Sequence, residues 1–333
     1  VGLGEYGVKT HPAWLEQRGG SGYHIARTEE EQKQLFLAVA CYALGMGASR
    51  VQNWCLRDDS TRVFPWGLFY PNGFVPKDVA YVHRNLSFAW RRFVPVDEPP
   101  AVTVCLASAL RIGNADSLGL TVGSRTFADL LAMHYDFNTI DDECLAELPA
   151  ATRVLILPSP LAISDRGFAE LQKWIASGGT VLVTGDFSYD TRRQRKHIER
   201  LEQLAGVRFA AECYANVARA QGTDVQADLA GLGLGKAVLR PCMRIQPTTA
   251  SVLGQSADGQ PVLVRNRVGR GAVYFLTDPL ELAEDEPSKR VRRDLYAAVL
   301  RAGGVAPLPI EPNEPWLHVM KQPIKQGTVH VVF

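Results

Sequence analysis

The period of the apolar positions changes along the chain, and the changes divide it. An apolar, glycine-bearing run at residues 1–4 ends on Glu5, Tyr6 and Gly7. A second short run, Arg50-Val51-Gln52-Asn53-Trp54, ends on an indole. Between them Leu35, Val39, Tyr42 and Ala43 recur at helical spacing. Thr28-Glu29-Glu30-Glu31 ahead of that stripe has the form of a capping box, and Gly45 and Gly47 terminate the helix. Pro76-Lys77-Asp78 opens a further helix, running to about Phe93.

Val94-Pro95-Val96-Asp97-Glu98-Pro99-Pro100 is a proline-rich linker, and a different rhythm follows it. The segments 101–106, 153–157 and 179–184 are apolar runs expected of strands buried on both faces. Helices are expected at 125–135, 165–177 and 193–204. That alternation predicts a doubly wound parallel sheet. The runs 261–265 and 272–276, joined by Asn266 to Gly271, predict a hairpin. Ser288 to Arg301 is a helix stopped by Gly303-Gly304. Residues 210–260 carry no readable pattern. From Ala306 a third, all-β unit is expected, so the domains are 1–96, 101–305 and 306–333.

A strand, a helix and a strand with chemically capable side chains at both strand C-termini is the repeating unit of a (β/α)₈ barrel, whose active site lies on that face. Residues 1–96 are therefore read as the end of such a barrel, and Glu5, between Gly4 and Gly7, as its catalytic candidate. The loop after it carries His11 and Trp14, and the loop after Trp54 carries Arg57 and Trp66. The plainer alternatives are a solvated carboxylate at Glu5 and a Trp14 that only plugs the barrel mouth.

The 333 residues, 46% hydrophobic and 21% charged, are those of an ordinary globular protein long enough for two or three domains. A formal net charge of +1 gives no reason to expect nucleic acid or an anionic membrane as partner. No apolar run reaches the roughly 20 residues needed to span a bilayer. The six cysteines are scattered, without CxxC or Cys/His pairing, which argues against zinc and against a disulfide framework. No metal or other cofactor is expected, and reduced thiols lean towards the cytoplasm. Val1 and Phe333 both fall inside apparent strands, so a piece of a longer protein is expected. The glycine runs at 231–235 and 269–271 do not lie between a strand and a helix, and read as turns rather than phosphate cradles. The basic run 192–197 is followed by Glu199 and Glu202 and reads as a solvated face.

The middle domain resembles the class I glutamine amidotransferase fold, whose nucleophilic Cys sits on a strand-to-helix elbow. Here the strand ends read Leu157-Pro158-Ser159-Pro160 and Thr184-Gly185-Asp186-Phe187, without a Cys. A structural or oligomerising role is expected instead. Gly4-Glu5, then Gln52-Asn53-Trp54, then such a domain and a small β unit together resemble the C-terminal part of clan A glycoside hydrolases. The nearest architecture is that of the family 42 β-galactosidases, with their trimerisation domain. The resemblance implies a retaining β-glycosidase with Glu5 as nucleophile and Trp54 flooring the sugar subsite. By position, Trp66 and Trp14 are candidate outer sugar contacts, and His11 and Arg57 are substrate-site candidates for the donor or cation that keeps Glu5 ionised. The resemblance further implies a carbohydrate substrate, a homotrimer, an acid/base residue outside this chain, and no activity from the chain alone. The competing expectation is a non-catalytic carbohydrate-binding or structural protein on a degenerate barrel.

Overall fold

The computed structural model describes residues 2–10, 27–58, 65–93, 96, 98–110, 118–213 and 222–332, with residues 2–5 followed by backbone alone. Two compact units emerge: Val1–Glu98 with Leu317–Phe333, and Pro99–Trp316.

The first unit opens with β1 (Gly2–Tyr6), α1 (Glu29–Gly45), β2 (Arg50–Asn53) and α2 (Asp78–Arg92). The capping box forms as its residues dictate: the Glu31 amide donates to Thr28 Oγ1 at 3.1 Å, and the Thr28 amide donates to Glu31 Oε2 at 2.7 Å. A helical crossover returns the chain in its original direction, so β1 and β2 pair in parallel, with Leu3 opposite Val51 and Tyr6 opposite Asn53. Phe36 and Ala40 of α1 pack with Leu68 and Val79 in a small core, against which Tyr6, Val51 and Trp90 are laid.

The second unit begins with β3 (Val102–Leu106), α3 (Leu118–Ala132), β4 (Asn138–Asp141), β5 (Val154–Leu157), α4 (Asp165–Ala176) and β6 (Thr180–Thr184). It continues with β7 (Val207–Glu212), β8 (Val225–Asp228), β9 (Lys236–Leu239), β10 (Met243–Pro247), β11 (Ser251–Ser256), β12 (Pro261–Val268), β13 (Gly271–Leu276) and α5 (Glu286–Ala302). Nine strands form one sheet in the order β4-β3-β5-β6-β13-β12-β11-β8-β9, and β7 and β10 pair separately. Side chains alternate across the sheet. Val154, Ile156 and Leu182 pack with Leu130 of α3 and Leu295 and Val299 of α5. Leu155, Leu157, Val181 and Val183 point to the other face, with Phe168, Leu171 and Ile175 of α4.

The fold is therefore α/β with a large mixed sheet, where a doubly wound parallel sheet with a hairpin was expected. Only β4, β3, β5, β6 and β13 run parallel. The predicted hairpin β12–β13 forms, closed through Gly269 at φ +59°. A two-residue turn forces antiparallel pairing, and β11, β8 and β9 extend the sheet in the same antiparallel mode. The helix expected at 193–204 shrinks to its end, where Glu199 and Arg200 lead into a π turn, Leu201–Ala205. Asp190 Oδ1 accepts the amides of Arg192 and Gln194, each at 2.9 Å, and this local alternative competes with helix formation upstream.

The last hairpin, β14 (Val319–Ile324) and β15 (Gly327–Val332), was expected to begin a separate third domain. It belongs instead to the first unit. Met320 is buried against Gly45 of α1, where a Cβ would lie 2.8 Å from Met320 Cβ. Tyr42 Oη and His318 Nδ1 are 2.5 Å apart, and the Val96 amide donates to the Pro323 carbonyl at 3.0 Å. Among the described residues no helix is long and apolar enough to cross a membrane.

Candidate active site

Parallel pairing brings the C-terminal ends of β1 and β2 to one level. The Trp54 amide donates to the Tyr6 carbonyl at 2.8 Å, so the backbone of Glu5, within β1 one residue before Tyr6, and that of Trp54, one after Asn53, lie near the two strand ends, with the register shifting between Leu3 and Tyr6. The Glu5 side chain, and all of His11 and Trp14, lie outside the described residues. Trp54 is 48% exposed, an uncommon placement for an indole that a neighbouring core could cover. The Trp54–Cys55 peptide is cis.

Trp66 is half-buried and drawn to the same strand end by its backbone. Asn53 Nδ2 donates to the Trp66 carbonyl at 3.3 Å and to the Cys55 carbonyl at 2.9 Å. Arg57 is exposed; its backbone bridges to Phe69 and its guanidinium stands 5.9 Å from the centre of the Phe74 ring. Tyr70 donates to the Glu29 carboxylate at 2.7 Å, and that bond, with burial, pushes the phenol up to about 12. Trp54 and Trp66 are thus joined through Asn53, while Arg57 is directed to the Phe69 and Phe74 side of its loop.

One constellation escaped the sequence. Lys77 Nζ and Asp58 Oδ2 lie 2.6 Å apart, with side chains only 1% and 7% exposed. Lys77 also donates to Thr10 Oγ1 at 3.1 Å, and the Gly67 amide donates to Asp58 Oδ1 at 2.7 Å. Thr10 in turn gives both its amide and its hydroxyl to the Pro65 carbonyl, at 2.9 and 2.7 Å. Asp58 sits in the charged run Arg57-Asp58-Asp59 and Lys77 next to Asp78, so both read as surface charge; nothing in the local pattern marks them as buried. Among the described residues no group of three or more His, Cys, Asp or Glu stands ready for a metal ion.

In the second unit the two strand ends without a Cys converge on one buried carboxylate. Ser159, held at φ +43°, and Thr184 both donate to Glu281 Oε2 at 2.7 Å, and Tyr296 donates to Oε1 at 2.5 Å. Ser159 and Thr184 are 3% and 0% exposed, so neither hydroxyl faces solvent. Cys242, fully enclosed, gives its thiol proton to the Thr277 carbonyl, and burial holds the thiol well above its ordinary range.

No protein-family model matches the chain, and no curated protein matches it in sequence. Solved structures do. A β-galactosidase from Bacillus circulans sp. alkalophilus superposes with a TM-score of 0.72 at 18% identity, over 100% of this chain and 50% of its own. Gan42B, a GH42 β-galactosidase from G. stearothermophilus, gives 0.68 at 15% identity, over 87% of this chain and 43% of its own. The exo-β-1,4-mannosidase Op5Man5 from Opitutaceae bacterium strain TAV5 gives 0.57 at 17% identity, over 90% and 52%. The chain spans about half the length of these structures. Its fold is one that it shares with the GH42 β-galactosidases, as the sequence resemblance implied.

Proposed function

We propose that this chain carries the nucleophile half of a retaining β-glycosidase site of β-galactosidase type. In this reading residues 1–96 are the closing strands and helices of a (β/α)₈ barrel and the acid/base carboxyl comes from barrel strands outside the chain. The observation that carries the proposal is the parallel pairing of β1 and β2, with Tyr6 opposite Asn53, which sets the Glu5 backbone beside the strand end that carries the half-exposed Trp54. The shared fold with glycoside hydrolases supports the class.

Retaining hydrolysis needs two carboxyls about 5–5.5 Å apart, one attacking the anomeric carbon and one protonating the leaving oxygen. Glu5 attacks and forms a glycosyl ester, which water then cleaves. Trp54 offers its ring to the apolar face of the sugar, with Trp66 beyond it. His11, Trp14 and Arg57 complete the proposed substrate contacts. The chain alone offers one of the two carboxyls and is inactive by itself, since general acid help is worth roughly 10²–10⁴-fold. The second unit is the amidotransferase-like domain of this reading. With Ser159 and Thr184 both committed to Glu281, it serves subunit contact, in a homotrimer, rather than catalysis.

The test is covalent trapping in the full-length protein. A 2-deoxy-2-fluoro-β-galactoside should label Glu5, as read by peptide mass spectrometry, and Glu5→Gln should lose turnover by several orders of magnitude with its fold intact. Azide should rescue Glu5→Ala as a glycosyl azide of inverted configuration. Label on another residue, or full activity in Glu5→Gln, removes the assignment. Absence of any label or turnover favours the non-catalytic, carbohydrate-binding alternative.

A further inference from the structure

We infer that the buried Lys77–Asp58 pair is a positioning device that sets Trp66 against the sugar site; the inference rests on the glycosidase reading above. Burying an ammonium and a carboxylate removes both from water, and such pairs are poor sources of stability, so their placement asks for another explanation. The contacts supply one. Among the described residues, and apart from Tyr70, whose ring centre lies 5.7 Å from the ammonium, the side-chain partners of Lys77 stand on the loops that leave the two strand ends. Thr10 follows β1 by four residues, and Asp58 follows β2 by five.

Through those partners the pair holds the residues on either side of Trp66, while Asn53, which bonds to neither charge, holds Trp66 itself. The Pro65 carbonyl is held twice by Thr10, the Trp66 carbonyl by Asn53, and the Gly67 amide by Asp58. Position 67 has no room for a side chain, since a Cβ there would fall 2.4 Å from the Asp58 amide nitrogen. Trp66 is therefore clamped on both sides, and the clamp also contains Thr10, five residues after Glu5. A neutral side chain at 77 would leave Thr10 and Asp58 unbridged. Lys77, its side chain only 1% exposed, ties the loop that follows Glu5 to the loop that presents Trp66.

The test is a double-mutant cycle in the full-length protein, with a nitrophenyl β-galactoside as substrate. Lys77→Met is expected to raise KM about tenfold while kcat changes less than about threefold, the pattern of lost binding contacts. Trp66→Ala should do the same, and the double variant should be no worse than Trp66→Ala alone, because both changes remove one contact. Thr10→Val, nearly isosteric and leaving Lys77 paired with Asp58, should raise KM in the same direction, and it serves where Lys77→Met fails to fold. Unchanged KM in the folded variants, with only a lower Tm, overturns the inference, as does an effect additive with that of Trp66→Ala. A wild-type protein that turns over no nitrophenyl glycoside overturns the glycosidase reading and this inference together. A wild type that does, with a Lys77→Met variant of unchanged KM, overturns this inference alone.

Discussion

Gly7 lies against the carbonyl of Trp54: a Cβ at residue 7 would fall 2.1 Å from that oxygen. The glycine two residues after Glu5 is thus a spacer that lets the ends of β1 and β2 close on one another. Gly7→Ala must push the Trp54 peptide outward, an overpacking that costs about 1–3 kcal/mol. Thermal unfolding should register that loss. In the full-length protein kcat/KM should fall with it, since the displaced group is the proposed sugar platform. Gly7→Ala with unaltered stability and kinetics would contradict the close approach.

Asp129 of α3 receives Arg292 Nε at 2.5 Å and Arg293 Nε at 2.7 Å, and both Asp129 and Arg292 are 2% exposed. Asp129→Ala strands the Arg292 charge inside the second unit, which costs about 3–5 kcal/mol. A denaturant titration should show the midpoint moving down accordingly. Replacing both partners together, Asp129→Leu with Arg292→Met, should recover most of the loss; a double variant as unstable as the single would argue against an ion-pair origin.

Asp278 makes stability depend on pH. Burial raises its carboxyl to about 7; the Arg240 amide bonded to Oδ2 works against the rise and the Glu281 charge adds to it. The unfolded carboxyl ionises near 3.9. Between those values the folded chain keeps a proton that the unfolded chain has released, so this contribution to stability falls as pH rises, and it levels off above about 7. The total is on the order of 4 kcal/mol. Asp278→Asn should flatten the profile across that window and be more stable than wild type on the alkaline side. An unchanged slope between about pH 4 and about pH 7 would place the titration elsewhere.

Gly45→Leu tests the docking of the β14–β15 hairpin on α1. A side chain there enters the space of Met320, whose Cβ, Sδ and Cε all lie within 3.0 Å of the Cβ position. The hairpin should be displaced, and limited proteolysis should cut ahead of it, between residues 303 and 318, faster than in the wild type. Equal cleavage rates would mean that the hairpin is not held by this contact.

Local chemistry was legible wherever it acts over a few residues. Thr28 and Glu31 announce their helix because the box is closed by bonds three residues apart, and the turn at Gly269 announces its hairpin because only a short loop can fold it. The buried strands of the second unit were readable as apolar runs because both of their faces are covered. Long-range pairing was not. Nothing within residues 225–228 or 251–256 says that β8 and β11 extend the same sheet as β6, since backbone bonds between strands carry no side-chain signature of their partner. The fate of residues 193–204 turned on Asp190, whose bonds to following amides compete with a helix that composition alone favours.

At the candidate site the division is the same. The sequence by itself determined that Glu5 and Trp54 lie within a residue of the ends of successive strands joined by one helix, which is enough to name them. Only the tertiary structure decided that β1 and β2 pair with Tyr6 opposite Asn53, that Gly7 is a spacer for Trp54, and that Lys77 and Asp58 are buried together rather than solvated. A charge looks the same in a sequence whether water or a counter-charge surrounds it. What distinguishes the two is the arrival of Thr10, 67 residues away from Lys77 along the chain, and only folding brings it there.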